Sequence, residues 1–339
     1  MKNTVFAYSR TGCATALKVM ECMPNTDWTA YAPSRLAEGK FLPTGRPANA
    51  FYGEIFGGAD AMVFIGSCGI AVREIAPHIK DKRTDPAVIC IDERGRFVIP
   101  ILSGHIGGAN ELAAHIAKGL GATAVITTAT DINNKFSVDT WAAKNGYIID
   151  SMPAAKAVSA AILEKDIPLY CDLPIVTDYP SGVIAGDSGE IGICISWQNK
   201  QPFKQTLRLI PPVLHLGIGC RRGTSCEAID RVVQAVLQQH NIDIRAVKCV
   251  SSIDLKQHEP GLLQYCANSG RLAQFYSAQQ LMQVRGEFTP SEFVRTVTGV
   301  DNVCERAALI GADKLIVKKT AADGVTVAVA AEKSEVRFG

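Results

Sequence analysis

The apolar residues of this chain come in short, strand-length runs that alternate with longer stretches of helical spacing, and that alternation restricts the fold most. Val5–Tyr8 reads as a strand and Thr15–Met23 as a helix. Ala61–Ile65 has the unbroken apolar character of a strand buried on both faces, and a short apolar helix follows to Ile75. Ala87–Ile91 and Phe97–Ile99 flank Asp92-Glu93-Arg94-Gly95, a hairpin signal. A helix from Ala109 to Leu120 carries Leu112, Ile116 and Leu120 on one face, and then come a strand at Ala124–Thr127 and a helix at Val138–Lys144. Strands alternating with helices imply a mostly parallel sheet of the α/β class.

The pattern changes after residue 130. Pro153–Glu164 is helical, but Pro168, Pro174, Pro180 and the glycines Gly182, Gly186, Gly189 and Gly192 punctuate only short strands. Pro211-Pro212 reads as a linker, and a βα pattern restarts at Val213–Ile218 with the helix Ser225–Gln239, Ser225 serving as N-cap. Two strands, Leu315–Lys318 and Val325–Val329, turn around Ala322-Asp323-Gly324. The expectation is an N-terminal α/β domain over 1–130, a small loop-rich middle domain over 131–211 and a C-terminal α/β domain over 212–339. With 339 residues, two or three domains are the natural division.

Composition narrows the function classes. Hydrophobic residues at 47% and charged ones at 20% exclude a disordered tail, a collagen and a coiled coil. A net charge of +2 gives no global field toward nucleic acid or membrane, so an anionic ligand must be met by local clusters. The start of the chain has no signal-peptide h-region, and no apolar run approaches the length of a membrane helix. The eleven cysteines show no CxxC pair and no framework, so reduced thiols in a soluble, cytoplasmic protein are expected. Zinc spacing, HExxH and GxSxG are absent, so neither a protein-bound metal nor a serine-hydrolase triad is expected.

Five polar stretches could carry chemistry. Ser103-Gly104-His105-Ile106-Gly107-Gly108-Ala109-Asn110-Glu111 lies between a strand and a helix, where backbone amides meet anions and His105 titrates near neutrality. The plain alternative is a helix start capped by Ser103 or Asn110. Thr127-Thr128-Ala129-Thr130-Asp131 is expected at the C-terminal end of a buried parallel strand, the edge where such sheets bind ligands; Asp131 could equally cap the next helix. Arg73 stands out inside an apolar helix, and the run Lys80–Arg83 with Arg94 and Arg96 could face a polyanion or merely solvent. Leu216-Gly217-Ile218-Gly219-Cys220-Arg221-Arg222-Gly223-Thr224 follows a strand and opens a helix, without the third glycine of a dinucleotide fingerprint or the lysine of a P-loop. Its two arginines suit carboxylates, and Asp254, Lys256, His258 and Glu259 crowd a loop after the strand Val247–Val250.

Taken in order, these blocks resemble the CbiG-type cobalt-precorrin-5A hydrolase family of anaerobic cobalamin biosynthesis. The resemblance is carried by Gly69-Ile70-Ala71-Val72-Arg73-Glu74-Ile75-Ala76-Pro77, Asp85-Pro86-Ala87-Val88, Leu102–Asn110 and Thr127–Asp131 in the first part. In the last part it is carried by Gly217–Gly223, Ser252–Lys256, Glu259-Pro260-Gly261-Leu262 and Val297-Thr298-Gly299-Val300. It implies opening of a δ-lactone on a ring-contracted cobalt tetrapyrrole, with a two-carbon fragment leaving as acetaldehyde. The macrocycle and its cobalt act as the electron sink, so no protein-bound cofactor is implied and the cobalt arrives with the substrate. One or two acid/base groups, oxyanion donors and arginines for the acetate and propionate arms would suffice.

On residue chemistry and loop position, His105 is then the leading general base, with Glu259 and Asp131 as second candidates. The amides of Gly107 and Gly108 are candidates for the oxyanion, and Arg73, Arg221 and Arg222 for carboxylates. Ser103, Asn110, Thr128, Gly219 and Lys256 complete the expected binding loops. Expected partners are the cobalt tetrapyrrole and other cobalamin-pathway enzymes, with no nucleic acid and no membrane. Two alternatives stay open: a non-catalytic tetrapyrrole carrier, and a nucleotide-binding α/β protein using the Gly217 loop.

Overall fold

The computed structural model describes residues 2–81, 84–105 and 107–338. Lys82 and Arg83 of the basic run, and Ile106 of the His105 loop, lie outside the described residues. The chain divides into two compact units, Met1–Thr140 and Trp141–Gly339. Residues 131–140 of the expected middle segment therefore belong to the first unit.

The first unit is built on β1 (Lys2–Ala7), β2 (Asp27–Ala32), β3 (Phe41–Pro43), β4 (Ala61–Ile65), β5 (Ala87–Ile91), β6 (Phe97–Leu102) and β7 (Thr123–Ala124). Their order is β3-β2-β1-β4-β5-β6-β7, parallel from β3 to β5. β4 and β5 are buried at every residue because helices cover both faces, which is why they are continuously apolar. Alternation sorts their side chains. Val5, Val63, Ile65, Ile89 and Ile91 meet Ala16 and Val19 of the helix Arg10–Glu21 and Ala113, Ile116 and Ala117 of the helix Ala109–Leu120. Phe6, Met62, Phe64 and Val88 meet Tyr52 and Phe56 of Ala48–Gly58 and Ala71 and Ile75 of Cys68–Ile75. β2, β3 and the helix Ala48–Gly58 are elements that the apolar pattern does not single out.

β6 returns antiparallel to β5, the hairpin that Asp92–Gly95 announces. β7 runs parallel to β6. The loops that leave β6 and β7 therefore emerge at the N-terminal edge of β1–β5, not at the C-terminal edge. β7 is also only two residues long and half-exposed, where a longer buried strand over Ala124–Thr127 was expected.

The second unit holds two sheets. β8 (Ile148–Ile149), β9 (Ile167–Cys171), β10 (Val183–Ala185), β11 (Ile191–Ile195) and β12 (Gln205–Ile210) form the order β10-β9-β11-β12-β8. The Pro- and Gly-punctuated stretch is thus a sheet, with only the edge strand β8 antiparallel. β13 (Leu214–Cys220), β14 (Val247–Ile253), β15 (Leu272–Tyr276), β16 (Lys314–Ala322) and β17 (Val325–Ala331) form the order β15-β14-β13-β17-β16. Helices Cys226–Gln239 and Pro260–Ser269 pack on one face of that sheet through Ile229, Val233, Val236 and Leu262. The short helix Cys304–Leu309 lies on the other face against Ala328 and Ala330. The expected hairpin turn between β16 and β17 narrows to two residues, Asp323 and Gly324, both with positive φ, 49° and 76°.

Candidate active site

In the first unit, folding brings the loop after β6 onto the loop after β7. Ser103 turns the chain in the left-handed region (φ 55°) and fastens it by donating its hydroxyl to the carbonyl of Asp85, 3.0 Å away. Gly107 crosses so close to Ser103 that a side chain would collide with it, and a Cβ on Gly104 would lie 2.8 Å from Oδ1 of Asn110. The turn closes with three bonds: Gly108 N–H to His105 O (2.8 Å), Ala109 N–H to Ser103 O (3.1 Å) and Asn110 N–H to Gly104 O (3.0 Å).

This wrapping points His105 and Asn110 at the loop from β7. His105 Nε2 lies 3.0 Å from Asp131 Oδ2 and 3.2 Å from the Thr130 hydroxyl. Asn110 donates through Nδ2 to Asp131 Oδ2 (2.6 Å) and to Thr128 Oγ1 (2.9 Å). Asp131 is the more open member of the pair, its side chain 36% exposed against 21% for His105. On the far side of the ring, Nδ1 lies 3.8 Å from Oδ1 of Asp139, whose side chain is only 7% exposed. The imidazole thus stands between two carboxylates, one open and one buried.

Two expectations for this loop are corrected. The Gly108 amide does not point at an oxyanion, because it is spent on the His105 carbonyl. The cluster also does not sit at the C-terminal edge of the parallel strands, because β6 is antiparallel and delivers it to the opposite edge. Asp131 is no simple cap, since its carboxylate takes the His105 and Asn110 bonds.

In the second unit, the loops after β13 and β14 lie side by side. Glu259 is buried and accepts the Gly223 N–H at Oε1 (2.6 Å) and Lys256 Nζ at Oε2 (2.9 Å). The Lys256 ammonium, the Gly223 amide and the charge of Arg222 hold its carboxyl below the usual carboxylate range. With both oxygens engaged and the acid form disfavoured, Glu259 has the geometry of a brace rather than of a base. The Arg221 amide donates to Gly324 O (3.0 Å) and its carbonyl accepts the Thr224 hydroxyl (2.8 Å). The Arg221 stem lies over Gly324, where a Cβ would come within 2.9 Å of its Cδ. Gly219 is hemmed by Thr326, whose hydroxyl would lie 2.5 Å from an added Cβ. Arg221 and Arg222 are exposed, as is Arg73 on its helix in the first unit. Among the described residues, no group of three His, Cys, Asp or Glu side chains could hold a metal ion, and no helix is long and apolar enough to cross a membrane.

Residues 50–131 match the family model described as cobalamin synthesis G N-terminal, and residues 214–330 match the model described as cobalamin synthesis G C-terminus. The cobalt-precorrin-5A hydrolase of Salmonella typhimurium is 34% identical over 339 residues, covering 95% of this chain and 95% of that protein. The chain belongs to the CbiG family of cobalt-precorrin-5A hydrolases. A second CbiG-family relative, the cobalt-precorrin-5A hydrolase of Priestia megaterium, is 33% identical over 81% of this chain and 79% of its own length. The protein CobE of a Sinorhizobium species is 33% identical over 34% of this chain and 79% of its own length.

The CbiG N-terminal match ends on Asp131. Asp139, eight residues further on, is the member of the His105 cluster that sequence reading missed. Its only sequence signal is an acid one residue into the helix Val138–Lys144, which usually marks a favourable helix start and nothing more.

Proposed function

We infer that this chain is a cobalt-precorrin-5A hydrolase. It opens the δ-lactone of a ring-contracted cobalt tetrapyrrole and releases the two-carbon fragment as acetaldehyde. Water adds to the lactone carbonyl and the ring C–O bond breaks, leaving a carboxylate and an alcohol. The alcohol then loses its proton, the carbon–carbon bond breaks, acetaldehyde departs and the electron pair stays on the macrocycle. The protein has to move protons and hold the ring's acid arms; the cobalt comes with the substrate, and the reaction is placed in the cytoplasm.

The observation that carries the site assignment is the His105–Asp131 contact. A carboxylate and an imidazole 3.0 Å apart can exchange one proton between them, which serves both the water and the alcohol step. Asp131 presents the more exposed surface and so meets the substrate, while His105 and Asn110 fix its Oδ2. Gly107 is the remaining backbone candidate for the carbonyl oxygen. Arg73 of the first unit and, as a separate set, Arg221, Arg222 and Lys256 of the second are the cationic candidates for carboxylates, the guanidinium groups gripping them bidentately.

The nucleotide-binding alternative is weakened by the Gly217 loop itself, whose Arg221 and Gly223 amides are already bonded to Gly324 and Glu259. The carrier alternative is separated by chemistry. Anaerobic incubation with cobalt-precorrin-5A should release acetaldehyde, trapped as a hydrazone, at a rate that His105→Ala lowers by about 10²-fold or more. Retention of the substrate without acetaldehyde would leave the carrier.

A further inference from the structure

We propose that Asp139 is a positioning residue for the proton-handling pair, holding one proton of His105 on Nδ1 so that Nε2 exchanges the other with Asp131. The proposal rests on the hydrolase reading for its consequence, but not for its geometry. The two carboxylates flank opposite nitrogens of one ring, Asp131 at 3.0 Å from Nε2 and Asp139 at 3.8 Å from Nδ1. The second distance is outside hydrogen-bond reach but within ion-pair reach, so Asp139 acts through its charge. That charge is shielded little, because its residue is 5% exposed.

Asp139 is itself held in place. Its Oδ1 accepts the Ser137 hydroxyl at 3.2 Å and the Thr140 amide at 3.0 Å. A buried carboxylate fixed by neighbours and facing one ring nitrogen selects the tautomer with a proton on that nitrogen. The elements around the ring contribute Asp131 and Thr130 from the loop after β7, Asn110 through Asp131, and Asp139. Glu111, His115, Lys118, Lys135 and Lys144 are the other titratable residues on these segments. With a proton favoured on Nδ1, Nε2 is the nitrogen left to trade one, and it faces the open carboxylate. The arrangement makes the direction of transfer a property of the fold.

The test needs no substrate in its first arm. Ring 15N spectra of the intact chain, with His105 assigned through a His105→Gln control, should show a proton on Nδ1 near neutral pH. A bare Nδ1 in the parent chain overturns the proposal without any variant. In Asp139→Asn, which keeps the acceptor for Ser137 and Thr140 but removes the charge, the preference for Nδ1–H should be lost. In the second arm, acetaldehyde release by Asp139→Asn should show kcat lowered about tenfold or more with KM within twofold. A folded Asp139→Asn with the parent's ring pattern overturns the proposal, even if its kcat has fallen, because the residue would then be merely structural. A parent that turns over no substrate sinks the hydrolase reading instead and leaves the ring result standing.

Discussion

Glu259 closes the loop after β13 by accepting the Gly223 amide 2.6 Å away, while its other oxygen holds Lys256. One buried carboxylate therefore ties two strand-end loops together and keeps Arg221 and Arg222 where they are. It also begins the helix Pro260–Ser269, whose second residue, Gly261, runs so close to the Thr224 carbonyl that a Cβ would collide.

Glu259→Ala should destabilise the chain by about 3 kcal/mol, the scale of leaving one partner of a buried pair alone. Because the folded-state carboxyl is depressed, its contribution is complete above the ordinary unfolded carboxylate value and is lost as pH falls through the lower folded value. Urea unfolding between pH 6 and pH 3 checks this. Equal acid slopes for the parent and Glu259→Ala would remove the brace from the account.

Gly217 and Gly223 should lose unequal amounts of stability on substitution by alanine. Gly217 lies in β13 beneath the helix Cys304–Leu309, and an added Cβ would run into the Cys304 carbonyl. Neither backbone can yield, so Gly217→Ala should cost about 3 kcal/mol. Gly223 has φ +75° and open space around it, so Gly223→Ala should cost only about 1 kcal/mol of left-handed strain. Thermal melts of the two variants decide the matter; a milder effect at Gly217 than at Gly223 would contradict the packing.

These contrasts show what the sequence makes legible. Ala61–Ile65 and Ala109–Leu120 could be read because burial on both faces, or on one helical stripe, writes itself into local spacing. β7 could not be, because Val125–Thr127 look like a strand while the ladder on β6 holds only Thr123 and Ala124 and ends with the Val125 amide on the Val98 carbonyl. The residues beyond must leave the sheet for Thr128 to reach Asn110. The Pro-rich middle hid a sheet for a similar reason: Pro168 sits inside β9, where local rules demote a strand and only pairing with β10 and β11 restores it. In the site, His105, Asn110 and Asp131 were legible as polar residues at turns. The partner beyond them was not, since Asp139 gains its meaning only when a segment 34 residues downstream folds back on His105.

His215 should give the C-terminal sheet an alkaline weakness. It is buried, with Nδ1 3.2 Å from the Ile310 carbonyl and Nε2 2.8 Å from Glu332 Oε1, so both ring nitrogens face acceptors. Contact with the Cys249 thiol and then the Glu332 carboxylate push it up to about 9, against the opposing effect of burial. For a group raised in the folded state, stabilisation is complete below about 6.5 and disappears as pH rises through about 9. The melting temperature should therefore fall between pH 7 and pH 10 in the parent and fall less in His215→Gln. Parallel curves for the two would refute the linkage.

Asp131 and Glu259 were equal candidates as carboxylates, and the structure separates them by what their oxygens do. Asp131 keeps an open side and lies 3.0 Å from Nε2 of His105; Glu259 is buried with both oxygens committed. Asp131→Asn should accordingly lower kcat for acetaldehyde release by about 10²-fold or more while the fold survives, because its 36% exposed side chain contributes little packing. Glu259→Gln should instead leave kcat little changed, because it alters a brace of the second unit's loops and touches neither His105 nor Asp131. Steady-state kinetics on the two variants at one pH are sufficient. If Glu259→Gln lost kcat at unchanged KM while Asp131→Asn kept it, the base would have to be reassigned to the second unit.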